Sequence, residues 1–331
     1  MTHTTINVLR TIIIISSILL SFILVPIIGL YVNQTILTLA IISLIFGIST
    51  LGWNLLLGYG GMWFYGQIGV FGLSAYTYGL ASRNIDPWLS FILSIIISIV
   101  SITIISLLSI RLKFAYFALA TFAFNLLVSA IIIAIYPANV IFQIPRLYIN
   151  IFGYRLRFDE YNSIPYYILL LLITITFLYI QKRMLNSSLG IRFIALKENE
   201  NRALSLGMDP LKVRLPFVLV SVIFTSIAGS IYAQYLGSVS QSIFSLDIFI
   251  AFLTILSLGG IGTFYGPLAA SILWTIIDFW LSLYIAQYKL IILSIVTIVV
   301  LMYLRSGIGG LIDLISARLM RIETMRQQIK E

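Results

Sequence analysis

Cysteine is absent from this chain, histidine occurs once, and charged residues make up only 9% of it. Without cysteine there are no disulfides, thiolate nucleophiles or thiolate metal sites. The single His3 sits near the N-terminus without other ligand types, so no metal site is expected. With 60% hydrophobic residues and a mean hydropathy of +1.08, the composition excludes an ordinary soluble domain. No G-x-x-x-x-G-K-[ST] stretch occurs, so the chain does not itself cradle nucleotide phosphates. Among the outer acidic residues only Asp159-Glu160 cluster, and no nucleophile or metal set accompanies them, which argues against a membrane enzyme.

What remains is membrane-grade sequence. Apolar runs predict an all-α integral membrane protein of about ten transmembrane helices near 9–30, 35–57, 62–80, 88–110, 114–136, 164–180, 215–236, 248–266, 267–286 and 290–304. The first, Leu9–Leu30, is longer than a signal-peptide core and reads as a retained helix. The third, GMWFYGQIGVFGLSAYTYG, is glycine-rich and reads as a short or re-entrant segment. Two domains follow: a transmembrane domain over 1–305 and an amphipathic basic tail over 306–331. In the tail, Ile308, Leu311, Ile312, Leu314, Ile315, Leu319 and Ile322 alternate with cations suited to the inner lipid surface.

One polar island, 181–214, holds seven Lys/Arg and three Asp/Glu. Placing it in the cytoplasm puts fifteen of the 20 basic residues inside and five outside, with both termini cytoplasmic. The net charge of +9 is therefore explained by the membrane rather than by nucleic acid. The external segment 137–163 combines prolines with the cluster Tyr154-Arg-Leu-Arg-Phe-Asp-Glu, compatible with a folded cap or a solvated connector.

Inside the predicted spans Asp278 is the only carboxylate. Ion-coupled transporters generally need several such groups or broken helices that coordinate ions, so transport by this chain would draw its energy from elsewhere. Asp278 itself reads as neutral or hydrogen-bonded within the bundle. Ser90, Ser94, Ser98, Ser101 and Ser109 recur on one face of the fourth span, as helix-packing glue or as a polar lining. Asn54, Gln67 and Asn125 are isolated polar residues open to the same two readings.

Within the island, Gly190 to Pro210 contains helical stretches, with Gly207 as a candidate C-cap and Ile191, Ile194, Ala195, Leu196, Ala203, Leu204 and Leu206 as an apolar docking face. This pattern resembles the cytoplasmic coupling loop of ABC importer permeases. Glu200, Ala203 and Gly207 match its core, while Arg202 replaces the alanine common before Ala203. LGWNLLLGYGG (Leu51–Gly61) with FGLSAYTYG, RLKFAYFALATFAF (Arg111–Phe124) and LSLGGIGTFYGPLAA, ending at Ala270, are similar to signatures of the branched-chain amino-acid permease family. The resemblance covers about residues 40 to 305.

It implies a permease subunit in the plasma membrane of a prokaryote. Such a subunit works with two cytoplasmic ABC ATPases, a second homologous permease or a second copy of itself, and an extracytoplasmic substrate-binding protein. ATP is bound by the partners, and the chain carries no cofactor and is not an enzyme. Expected ATPase-coupling residues are Gly190, Arg192, Glu200, Ala203 and Gly207. Expected substrate-path residues are Asn54, Gln67, Asn125, Gly259, Gly260, Gly262, Gly266 and Asp278, although the glycines serve equally well for close packing. The family often carries a Thr-Gly-Gly type segment where this chain has Tyr136 to Pro145, and a His where it has Gln67. The implied cargo is therefore a branched-chain or related amino acid, with urea, short amides or another small polar solute as the alternative. An ion-coupled secondary transporter is the rival class.

Overall fold

A computed structural model describes residues 34–109, 114–136, 140–151, 154–157, 163–303 and 307. The expected first span, the termini and nearly all of the 306–331 tail lie outside the described residues.

Long apolar runs satisfy their backbone internally only as helices, and this dictates the architecture. The order is α1 (Gln34–Asn54, continued by a π-helical turn Leu55–Tyr59), α2 (Gln67–Ala81), α3 (Pro87–Ser109), α4 (Phe114–Ile135), α5 (Ile164–Leu185), α6 (Ser188–Glu198), α7 (Glu200–Ser205), α8 (Pro210–Leu236), α9 (Leu246–Gly259), α10 (Gly266–Tyr284) and α11 (Lys289–Tyr303). Among the described residues six helices are long and apolar enough to cross a membrane: α1, α3, α4, α5, α8 and α10. Helices α2, α9 and α11 have 15, 14 and 15 residues.

Three of the boundaries that differ from expectation do so for a local reason. The third span begins only at Gln67, because residues 61–66 leave the helix after Gly60, and Gly61 takes φ +64°. The seventh begins at Pro210, capped by Asp209, whose Oδ1 accepts from the Leu211 N–H at 3.0 Å. The eighth stops at Gly259, where Gly260 (φ +90°) and Gly262 (φ +86°) turn the chain.

The centre is α1, packed against α10, α8 and α5. Its hub is Phe46, which meets Phe71 of α2 at 6.2 Å, Tyr232 of α8 at 6.0 Å, Phe252 of α9 at 5.3 Å and Trp274 of α10 at 5.0 Å between ring centroids. Tilted and edge-on rings at these distances add to the dispersion that holds helices together in lipid. Helix α3 is arranged inversely to a soluble amphipathic helix. Ser90, Ser94 and Ser98 are buried while Leu89, Ile92, Ile96, Val100 and Ile104 are exposed. Ser94 Oγ lies 2.7 Å from Ser230 Oγ of α8. The serine stripe is thus used, at least at this level, to bring helices close and link them across the contact. The side chain of Ser109 lies outside the described residues.

Three strands from the 137–163 segment and one after α8 are a small departure from an all-helical chain. β1 (Val140–Phe142) pairs antiparallel with β4 (Ser238–Ser240), and β2 (Tyr148–Ile151) with β3 (Tyr154–Arg157). Side chains bind this cap to the helix ends. Tyr78 donates to Pro145 O at 2.7 Å, Trp88 Nε1 to Tyr148 O at 2.7 Å, and the Tyr148 hydroxyl to Asp86 Oδ2 at 2.7 Å. That bond, with the Trp88 N–H, holds the Asp86 carboxyl below its ordinary value. The island lies at the other end of the helices.

Candidate functional site

The island is a folded element rather than a loop. Its first residues extend α5 to Leu185, its last begin α8, and α6 and α7 lie between. Each short helix is capped by its own sequence. The Ser187 hydroxyl accepts from Gly190 N–H at 3.2 Å, and Asn199 Oδ1 accepts from Arg202 N–H at 3.0 Å. After α7, Gly207 N–H donates to Leu204 O at 2.9 Å and Met208 N–H to Ala203 O at 3.1 Å, with Gly207 at φ +76°. These paired bonds form a Schellman motif, so the expected C-cap at Gly207 is present.

The expected coupling residues divide into two groups. Gly190 packs so tightly under the end of α5 that a Cβ there would overlap the Met184 and Leu185 carbonyls. Ala203 is 3% exposed, and Glu200 Oε1 is held 3.0 Å from the Arg214 guanidinium at the base of α8. These three hold the island together. Arg192 and Gly207 face outward, with nothing within 4 Å of a Cβ built on Gly207. The apolar face is narrower than expected, since Leu196 turns inward and Ile194 and Ala195 are half-buried. The surface is left to Ile191 (66% exposed), Leu204 and Leu206 (77%).

Two residues outside the expected set join the island to the membrane interior. Phe193 is fully buried and stacks on Phe217 of α8, with ring centroids 3.8 Å apart and planes 2° from parallel. Its ring fills the space that a side chain on Gly60 would need. Lys197 Nζ donates to Gly58 O at 2.6 Å, capping the π-turn of α1 with a cation where carbonyls lack partners. The only sequence signal was an aromatic and a lysine four residues apart on a predicted helix, which specifies no partner.

The same π-turn touches the glycine-rich turn between α9 and α10. A Cβ on Gly58 would overlap the backbone of Gly262. Asn54 spans this contact with both ends of its amide. Nδ2 donates to Thr263 O at 2.7 Å, and Oδ1 accepts from Gly262 N–H at 2.8 Å. Gly259 and Gly266 lie back to back, each lacking room for a Cβ. Asn54, Gly259, Gly260, Gly262 and Gly266 therefore form one junction, in which packing and turning explain every glycine.

The other expected path residues are dispersed. Gln67 is fully buried, donating to Ser49 O at 3.1 Å and to Thr225 Oγ1, while its Oε1 accepts from Ser221 Oγ at 3.3 Å. Asn125 is buried against Gly69, and its Oδ1 has no partner among the described residues. Asp278 is not isolated: its Oδ1 lies 2.6 Å from Lys289 Nζ across the corner between α10 and α11. No group of three or more His, Cys, Asp or Glu residues suited to a metal occurs among the described residues.

A family described as the branched-chain amino acid transport system permease component matches residues 35–301. The chain is similar to the high-affinity branched-chain amino acid transport system permease protein LivM of Salmonella typhimurium, at 26% identity over 260 residues, 71% of this chain and 61% of that protein. It is also similar to LivM of Escherichia coli, at 26% over 267 residues, 73% of this chain and 62% of the relative. The aligned region thus spans about three-fifths of the length of these relatives. No solved structure matches. The match takes in α1 and its π-turn, the island and the Asn54 junction, and nearly the whole described helical body, so the chain belongs to the branched-chain amino acid transport system permease family.

Proposed function

We propose that this chain is the passage-forming subunit of an ATP-driven importer for branched-chain or related amino acids, seated in a prokaryotic cell membrane. In this reading two cytoplasmic ATPases bind the island through Ile191, Leu204 and Leu206, with Arg192 beside them and the Gly207 turn leaving room. A second permease, homologous or identical, completes the passage, and an external binding protein delivers the substrate at the cap end. The chain performs no chemistry, and ATP is bound and split by the partners.

The observation that carries this reading is the continuous mechanical link from the island to the interior. Lys197 and Phe193 engage the π-turn of α1, and Asn54 at that turn holds the start of the α9–α10 corner. A π-turn contains one residue more than an α-helical turn and often marks a functional site. Displacing α6 would move that turn and, through it, two further helices. A continuous link of this kind is what nucleotide-driven closure would act through.

The test is reconstitution with the partner ATPases, permease and binding protein in vesicles. Leucine uptake should require ATP and survive ionophores. Leu206→Asp, at a position 77% exposed, should abolish uptake while the protein remains assembled in the membrane. Leucine uptake that follows an ion gradient without ATP would overturn the proposal in favour of a secondary transporter. ATP-driven uptake of urea or a short amide but not leucine would overturn its choice of cargo.

A further inference from the structure

Residues 61–66 are non-helical, and they run from Gly61, beside Lys197 of the island, in among the apolar helices. The Tyr65 N–H donates to Thr121 Oγ1 at 3.1 Å. Thr121 is seven residues into α4, about 10 Å along its axis. Gln67 bonds to Ser49 O, ten residues back from the end of the π-turn and about 15 Å along α1. Unwound backbone at such depth does not face lipid; it is buried in protein or lines a watery cavity. Trp63, in the middle of this segment, is nevertheless 42% exposed, and Tyr65 is half-buried. The face carrying them is therefore turned toward a passage or a protein neighbour.

On that face four rings converge from four elements. Trp53 of α1 lies 6.0 Å from Tyr65 and 6.0 Å from Phe249 of α9. Tyr65 lies 5.5 Å from Phe249, and Phe122 of α4 lies 6.5 Å from Phe249. Tyr65, Phe122 and Phe249 are half-buried and form the outer surface. Trp53 is fully buried beneath them, and its indole N–H has no acceptor among the described residues. One turn beyond Phe122, Asn125 Oδ1 is an acceptor without a donor. An unpaired donor and an unpaired acceptor thus flank an aromatic surface at mid-depth. The polar residues that sequence alone singled out, Asn54 and Gln67, are already occupied by the protein.

We infer that Trp53, Tyr65, Phe122, Asn125 and Phe249 form a mid-membrane site for an amino acid with an apolar side chain. This inference rests on the reading of the chain as an amino-acid permease. The side chain packs on Tyr65, Phe122 and Phe249, the Trp53 N–H donates to the carboxylate, and Asn125 Oδ1 accepts from the ammonium group. In the conformation described the two polar atoms are sealed from solvent, so the rings also act as the closed gate of the site.

The test is equilibrium binding of radiolabelled leucine to the purified permease–ATPase complex without the binding protein, alongside ATP-driven leucine uptake with it. Trp53→Phe, which keeps a ring and removes the N–H, should weaken leucine binding about tenfold; Phe249→Ala should lower the preference for leucine over alanine by about tenfold. Co-elution of each variant with the ATPases in size-exclusion chromatography reports assembly. If Phe249→Ala fails to assemble, Phe249→Leu should shift the preference in the same direction by a smaller factor. Leucine affinity and preference unchanged in the assembled variants overturn the site, as does a complex that transports leucine yet binds none without the binding protein. A wild-type complex without ATP-driven leucine uptake defeats the underlying permease reading instead.

Discussion

At the cap end of the molecule, the connections are made largely through main chain: β1 pairs with β4 along three residue pairs, and Tyr78 and Trp88 donate to the backbone carbonyls of Pro145 and Tyr148. At the island end, by contrast, a few side chains carry the link: one ammonium on Gly58 O, one ring in the space beside Gly60, and one carboxamide spanning 262–263. Distributed backbone pairing resists sliding, because a shift in register breaks every bond at once. Point contacts against a π-turn can be exchanged one for another with little loss. The cap end is thus fastened against sliding, and under the proposed function the island end would transmit displacement.

The contrast breaks most severely at Gly60. A side chain there meets the ring of Phe193, which is already held against Phe217, and neither can withdraw without moving α6. Gly60→Val is expected to abolish ATP-driven uptake and to cost about 1–3 kcal/mol in stability through overpacking. Thermal unfolding in detergent and vesicle uptake measure the two effects. Wild-type uptake by Gly60→Val would show that the island is not coupled through this contact.

A milder change separates coupling from packing. Lys197→Met keeps the stem that lies along Gly61 and removes the ammonium from Gly58 O. The site is partly exposed, so the expected stability loss is about 1 kcal/mol, below the range for a buried charged hydrogen bond. ATP hydrolysis should persist while the leucine transported per ATP falls severalfold, and Lys197→Arg should recover part of it. An unchanged transport ratio would reduce Lys197 to a solvated cation and leave the ring contact as the sole link.

Much of this was legible in the sequence, for physical reasons that also mark where legibility stops. Runs such as Pro87–Ser109 have one stable form in lipid, and the polar island had to lie outside it. Gly207 was legible as a cap because a glycine after a short helical run serves a local purpose. Asn54 and Gln67 stood out as polar residues among apolar ones, but their partners, Gly262, Thr263, Ser221 and Thr225, are more than 150 residues away. A pattern local to one helix cannot distinguish a structural clamp from a substrate contact. Phe193, Lys197 and Trp53 carried no signal that named a partner, since aromatic and basic residues are common beside membrane spans. Their roles arise only when separate elements meet.

The smallest expected effect lies at the cap, and it tests the other side of the comparison. The Asp86 carboxyl, fully exposed, is held below its ordinary value of 3.8 by the Tyr148 hydroxyl first and the Trp88 N–H second. A lowered folded-state value means that this attachment contributes in full above pH 3.8 and is lost as the pH falls through the folded value. The β2–β3 hairpin should therefore exchange its amides faster in acid, in a window beginning just below pH 4 and leaving the island unaffected. Tyr148→Phe should remove most of that acid sensitivity while uptake at neutral pH stays at the wild-type level. Because the β1–β4 pairs contain no titratable group in their backbone bonds, their protection should remain constant across the same window. Acid loosening that spread to β1 and β4 would mean that Tyr148, a single side chain, holds the cap, and the two ends of the molecule would then be fastened in the same way.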